Sequence, residues 1–134
     1  MRHRIRILLL ASALGGSLAA AGCIAAAAAG AAGAVYVTER GAEAQVATPV
    51  GTTLDAARRA FQEMSITETK SSNEQDGSVE KRSLEGKTSD RSIEVDLKSE
   101  GSGTHVDVLA KKTAVTWDKD FAKKILNRIV ELAK

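Results

Sequence analysis

The sequence predicts an α+β domain: an antiparallel sheet in the order strand-helix-meander-helix, with two helices packed on one face. Three observations predict it. The segments 50–64 and 118–132 each carry apolar residues at helical spacing along one side, "RSIEVDLKS" and "THVDVLAKK" alternate apolar with polar residues, and the "EGSG" between those two contains glycine. A helix and a sheet that are each apolar on one side need a surface to cover it, and stacking the two as layers covers both.

The chain has 134 residues, the size of one domain, but its alanine is crowded ahead of residue 35. Arg2, Arg4 and Arg6 open the chain, Leu8, Leu9, Leu10, Leu14 and Leu18 follow in an uncharged stretch, and small residues run from Ala19 to Gly22. A basic start, an apolar middle and a small-residue end form the order of a secretory signal. The four residues Ala20-Ala21-Gly22-Cys23 then resemble the lipobox of bacterial lipoproteins, which implies cleavage between Gly22 and Cys23 and a lipid on the Cys23 thiol. Cys23 is the only cysteine, so an internal disulfide is impossible and lipidation gives the thiol a use. A second reading stays open, because residues 7–38 carry no charge and about 20 apolar residues span a bilayer, which also fits an uncleaved membrane helix.

The expected organisation is a lipoprotein signal peptide at 1–22, a lipidated Ala/Gly-rich tether at 23–40 and a small α+β domain at 41–134. Loss of Arg2, Arg4 and Arg6 takes the formal charge from +2 to −1. The basic balance belongs to the signal. With 3% aromatic residues and no basic stripe, the sequence offers nucleic acid neither charge nor stacking platforms.

Within the domain, Ala42, Ala44 and Val46 alternate with Glu43 and Gln45 as in a strand. Thr48-Pro49 can cap and start a helix, since a threonine oxygen can accept from an orphan N–H and proline suits the first helical position. Val50, Leu54, Ala57, Phe61 and Met64 then form one apolar stripe. Gly51 weakens the first turn, so a start at Thr52, with Asp55 at capping-box spacing, is the alternative. From Ile66 the chain is polar as far as Asp76-Gly77, a turn signal, and no strand is read there. Val79 and Leu84 mark a further strand, Ile93, Val95 and Leu97 face one way on the next, and Val106, Val108 and Ala110 do so on the last. Asp118 is placed to cap the final helix, whose stripe is Phe121, Ala122, Ile125, Ile129 and Leu132.

Candidate chemistry is sparse. His105 is the single histidine beyond residue 22 and sits opposite the Val106/Val108 face, which predicts a solvated strand residue and neither a catalyst nor a metal ligand. Ser78 and Lys81 have the spacing of a serine–lysine acylating pair, but the S-D-N and K-T-G that accompany such pairs are absent. Glu94, Asp96 and Asp107 are expected to share the polar sheet face with Lys98, in water and without the sheltered carboxyl that acid–base catalysis needs. No catalytic, metal-binding or cofactor-binding residue is assigned, and no cofactor is expected. The lysines of the last helix read as its wet side.

Taken together, Cys23, a Gly/Ala stretch ending in Tyr36-Val37, a strand, a helix, an antiparallel meander and a final helix opened by Asp118 and carrying Ile125-Leu126 resemble a family of small bacterial lipoproteins, the domain-of-unknown-function family 3568. The resemblance implies a non-enzymatic envelope lipoprotein, held to the membrane by lipid on Cys23, that acts through an envelope protein partner or as a structural module. It further implies the periplasmic face of the outer membrane, because Ile24, and not the aspartate of retained lipoproteins, follows Cys23. The alternative is a periplasmic small-ligand or lipid-binding module with a cavity between helices and sheet, lined by Leu54, Phe61 and Ile125.

Overall fold

The computed structural model describes residues 33–134. Gly22, Cys23 and the segments read as signal peptide and most of the tether lie outside the described residues. The elements run β1 (Val35–Val37), β2 (Gly41–Val46), α1 (Val50–Glu63), β3 (Thr67–Asp76), β4 (Val79–Lys87), β5 (Ser92–Glu100), β6 (Gly103–Lys111) and α2 (Lys119–Leu132). The strands make one sheet in the order β1-β2-β6-β5-β4-β3, antiparallel at every pairing. The fold is therefore the expected α+β class, with two helices on one face of an antiparallel sheet.

Two strands exceed the sequence reading. β1 pairs Val35, Tyr36 and Val37 with Ala44, Glu43 and Ala42, so the sheet takes in three residues of the segment read as tether. β3 was not expected, because "TETKSSNEQD" has no apolar side at all; all ten of its residues are exposed. Strand formation there rests on backbone pairing with β4 across the Asp76-Gly77 turn, where Gly77 adopts a left-handed φ of 60°.

Register aligns the apolar positions of successive strands on the helix side. Ala42, Val108, Val95 and Leu84 form one row across β2, β6, β5 and β4, and all are buried. A one-residue slip would turn every one of them to the other face. α2 packs over β1, β2 and β6, and α1 over β3, β4, β5 and β6. Leu54, Phe61, Ile125, Leu126 and Ile129 fill the space between the layers, while Phe121 and Leu132 are partly buried at its margin. The two helices are joined at the surface by Arg128, which reaches both carboxylate oxygens of Glu63, at 2.5 and 3.1 Å.

The helix ends show how the chain enters and leaves each layer. α1 begins at Val50, with Pro49 rather than a side-chain acceptor at its N-cap. The Thr48 hydroxyl does not cap; it lies 3.0 Å from the hydroxyl of Thr53, which donates to the Pro49 carbonyl at 3.0 Å. The exit is a Schellman motif: Ser65 takes a left-handed φ of 56°, Ile66 N–H donates to the Phe61 carbonyl at 2.8 Å, and Ser65 N–H to that of Gln62. Gly86 of β4 leaves room for the buried Phe61 and Ile66, since a Cβ there would stand 2.6 Å from each. α2 is capped as predicted, with Phe121 N–H donating to Asp118 Oδ1 at 3.0 Å. Arg91 holds the other carboxylate oxygen at 2.8 Å and stacks over Phe121. Their hydrogen bond keeps the Asp118 carboxyl below its ordinary range.

Candidate functional site

The face of the sheet turned away from the helices carries charge in rows. Strand alternation sends every second residue outward, and the register decides which outward residues become neighbours. Across β6, β5 and β4 the first row is His105, Lys98 and Lys81, each opposite the next, continued by Glu74 on β3. The second row is Glu43, Asp107, Asp96, Ser83 and Ser72, running from β2 to β3. The third is Leu109, Glu94, Glu85 and Lys70. A cationic row thus lies beside an anionic one.

An open groove of about 310 Å³ runs along the first two rows, with Ser72, Glu74, Lys81, Ser83, Asp96, Lys98, His105 and Asp107 in its lining. A smaller one of about 130 Å³ touches Glu85, Ser92, Glu94, Leu109 and Lys111. Neither groove is lined by Leu54, Phe61 or Ile125, the residues expected around an interlayer cavity; all three are buried.

The structure brings Glu94, Asp96 and Asp107 together on this face, as the alternation predicts. It departs from a freely solvated face at Asp107. Oδ1 of Asp107 is buried and, among the described residues, has no hydrogen-bond partner. Glu43 and Asp96 stand directly opposite Asp107 on either side, so three carboxylates occupy one row. Burial first, then the charges of Glu43 and Asp96, push the Asp107 carboxyl above its ordinary range, with His105 opposing. Burial likewise raises Glu94, followed by the charge of Asp96 and then that of Glu85, with Lys111 opposing. Sequence alternation reveals which residues share a face but not which are directly opposed, because opposition depends on register set by turns far along the chain. The equal spacing of Asp96 and Asp107 from the "GS" turn, whose Glu100 pairs with Gly103, was the available signal.

The remaining candidates are placed apart. His105 is half-buried, with Nε2 3.7 Å from Glu43 Oε2. Ser78 sits in the β3–β4 turn, whereas Lys81 faces the groove beside Glu74 and Lys98, so Lys81 has carboxylate and ammonium neighbours in its row. Among the described residues, no group of three or more His, Cys, Asp or Glu side chains is placed to hold a metal ion. No described helix is long and apolar enough to cross a membrane. A raised carboxyl is one component of acid–base chemistry, but its neighbours are two further carboxylates in its own row and the His105 imidazole in the adjacent one.

No curated protein matches the chain. A family described as protein of unknown function (DUF3568) matches residues 4–131, a span that includes Cys23 and all eight elements up to the last turn of α2. The chain belongs to this DUF3568 family.

Proposed function

We propose that this protein is an envelope lipoprotein that presents its α+β domain at a membrane surface as a non-enzymatic protein-interaction or structural module. The observation that carries the reading is the order of residues before the domain: Arg2 to Arg6, then Leu8 to Leu18, then small residues, then the single Cys23. Cleavage before Cys23 and transfer of a diacylglyceryl group to its thiol as a thioether, with or without a further acyl chain on the new amino terminus, give an anchor of two or three acyl chains, each contributing about 0.8 kcal/mol per buried CH₂. Ile24 supports delivery to the outer membrane, with the domain in the periplasm. The charged rows of the sheet face and a core filled by Phe61, Ile125 and Ile129 support action through the surface.

A second reading draws on the groove over β4, β5 and β6. Its lining of Lys81 and Lys98 beside Asp96 and Asp107 suits a small zwitterion better than a lipid tail. Soaking or titrating zwitterionic amino acids against backbone amide shifts of β5 and β6 tests that reading; unchanged shifts rule it out.

The anchor is tested by metabolic labelling with a fatty acid. The wild-type chain should take up label and sediment with membranes, and Cys23→Ser should do neither. Equal labelling of Cys23→Ser would overturn the lipoprotein reading, and sedimentation of unlabelled wild type after high-salt washing would favour the uncleaved helix.

A further inference from the structure

β3 is the edge of the sheet, and its outer side offers a second chain a ladder of unpaired N–H and C=O groups. Ten residues long and exposed throughout, it extends beyond the cover of the helices. We propose that two copies of the chain pair along β3, antiparallel, about a two-fold axis at Ser72, joining two sheets into one of twelve strands. This names one partner for the interaction role proposed above, and the pairing itself requires no anchor.

Charge complementarity selects the second copy and the register. Along a strand, successive residues alternate both in face and in the direction of their N–H and C=O groups. Two identical antiparallel edges therefore match only when the axis passes through a residue. An axis at Lys70 sets Lys70 against itself. One at Ser71 sets Lys70 against Ser72 and brings no opposite charges together. An axis at Ser72 places Lys70 of each copy opposite Glu74 of the other.

The same register continues a pattern already present in each copy. Lys70 Nζ lies 3.1 Å from Glu85 Oε1, and Glu74 stands opposite Lys81. Pairing at Ser72 extends these into Glu85, Lys70, then Glu74 and Lys81 of the second copy, alternating in sign across the seam twice over. An axis at Asn73 would set Lys70 against Asp76 but leave Glu74 facing Ser72, and the alternation stops at the seam. The irregularity between Glu68 and Lys70 ends the ladder on one side and turns Glu68 to the helix face, where it meets Arg58 at 3.4 Å. No like charges remain opposed between residues 70 and 74.

Directly opposed Cβ atoms lie about 4.5–5.5 Å apart in such a pair, close enough to crosslink as cysteines after slight adjustment. Full-length Ser72→Cys, oxidised in cells with copper phenanthroline, should run as a disulfide-linked dimer on a non-reducing gel, while wild type and Ser83→Cys, one strand inward, should not. Adding Glu74→Lys or Lys70→Glu to Ser72→Cys should lower the dimer several-fold. Co-expressing these two variants with different tags should restore a mixed dimer, because each then opposes unlike charges. Absence of the Ser72→Cys dimer, undiminished dimer in either charge variant alone, or no mixed dimer would overturn the pairing. Fatty-acid labelling of the same samples separates the proposals: labelled protein without dimer removes the pairing and leaves the anchor, and dimer without label does the reverse.

Discussion

The hydroxyl of Thr104 on β6 donates to the carbonyl oxygen of Thr48 at 2.7 Å, tying the sheet to the turn that leads into α1. Thr104 and Thr53 are both fully buried, and their hydroxyl oxygens are 3.4 Å apart. α1 has no side-chain cap, and this cluster instead fixes the entry to the helix by holding the carbonyls of Thr48 and Pro49. Thr104→Val keeps the shape and leaves the Thr48 carbonyl without its short donor. Urea unfolding should show a loss of about 1–3 kcal/mol, and Thr104→Ser should recover most of it. A Thr104→Val protein as stable as wild type would mean that water or Thr53 takes over the bond.

The Schellman turn after α1 gives two changes of opposite sign. Ser65 holds a left-handed φ that glycine adopts without strain, so Ser65→Gly should stabilise the protein by about 1 kcal/mol. Gly86→Ala should destabilise by about 1–3 kcal/mol, because the new methyl meets Phe61 and Ile66 in a filled core. Thermal melts of both variants test this. A destabilised Ser65→Gly would show that the serine hydroxyl contributes more than its backbone costs.

The carboxylate row gives a pH dependence. Asp107 and Glu94 are raised in the folded protein. Raised carboxyls bind more protons folded than unfolded, so their contribution is fully present below the ordinary carboxylate range and is lost as pH rises through the higher folded values. Asp118 and Glu63 are lowered and act in the opposite sense, losing their contribution as pH falls through their folded values. Asp107→Asn removes one charge from between Glu43 and Asp96. The variant should be more stable than wild type at neutral pH, with the difference shrinking as pH falls into the carboxylate range. A difference independent of pH would rule out charge as the cause.

Much of the architecture is legible wherever one side of an element differs from the other. Ile93, Val95 and Leu97 announce β5, and Phe121, Ile125 and Ile129 announce the buried side of α2, because burial on one face leaves a period in the sequence. Asp118 is legible as a cap since a cap is a local bond. β3 is illegible for the same reason: with no residue buried on either face, no position in "TETKSSNEQD" needs to be apolar, and only its partner strand reveals it. β1 hides in three residues, of which Tyr36 and Val37 are exposed. Ser65 is missed because helix ends are read from glycine. On the sheet face, alternation identified Glu94, Asp96 and Asp107 as co-facial, but that Glu43 and Asp96 flank Asp107 is set by the register of β6 with β2 and β5.

The three-residue pairing of β1 sets how the domain bears a mechanical load. A pull arriving through the chain before Gly33 reaches β1 ahead of the core, and β1 is held by its pairs to β2 at Val35, Tyr36 and Val37 and by its contact with α2. Applied at one end of an edge strand, such a force opens the pairs in succession rather than all at once. β2 behind it has six pairs to β6 and buries Ala42, Ala44 and Val46 under α2, so rupture stops there. Peeling β1 frees about 10 Å of chain at roughly 3.3 Å per residue. The first strand is thus the element that such a pull would detach before it strained the core.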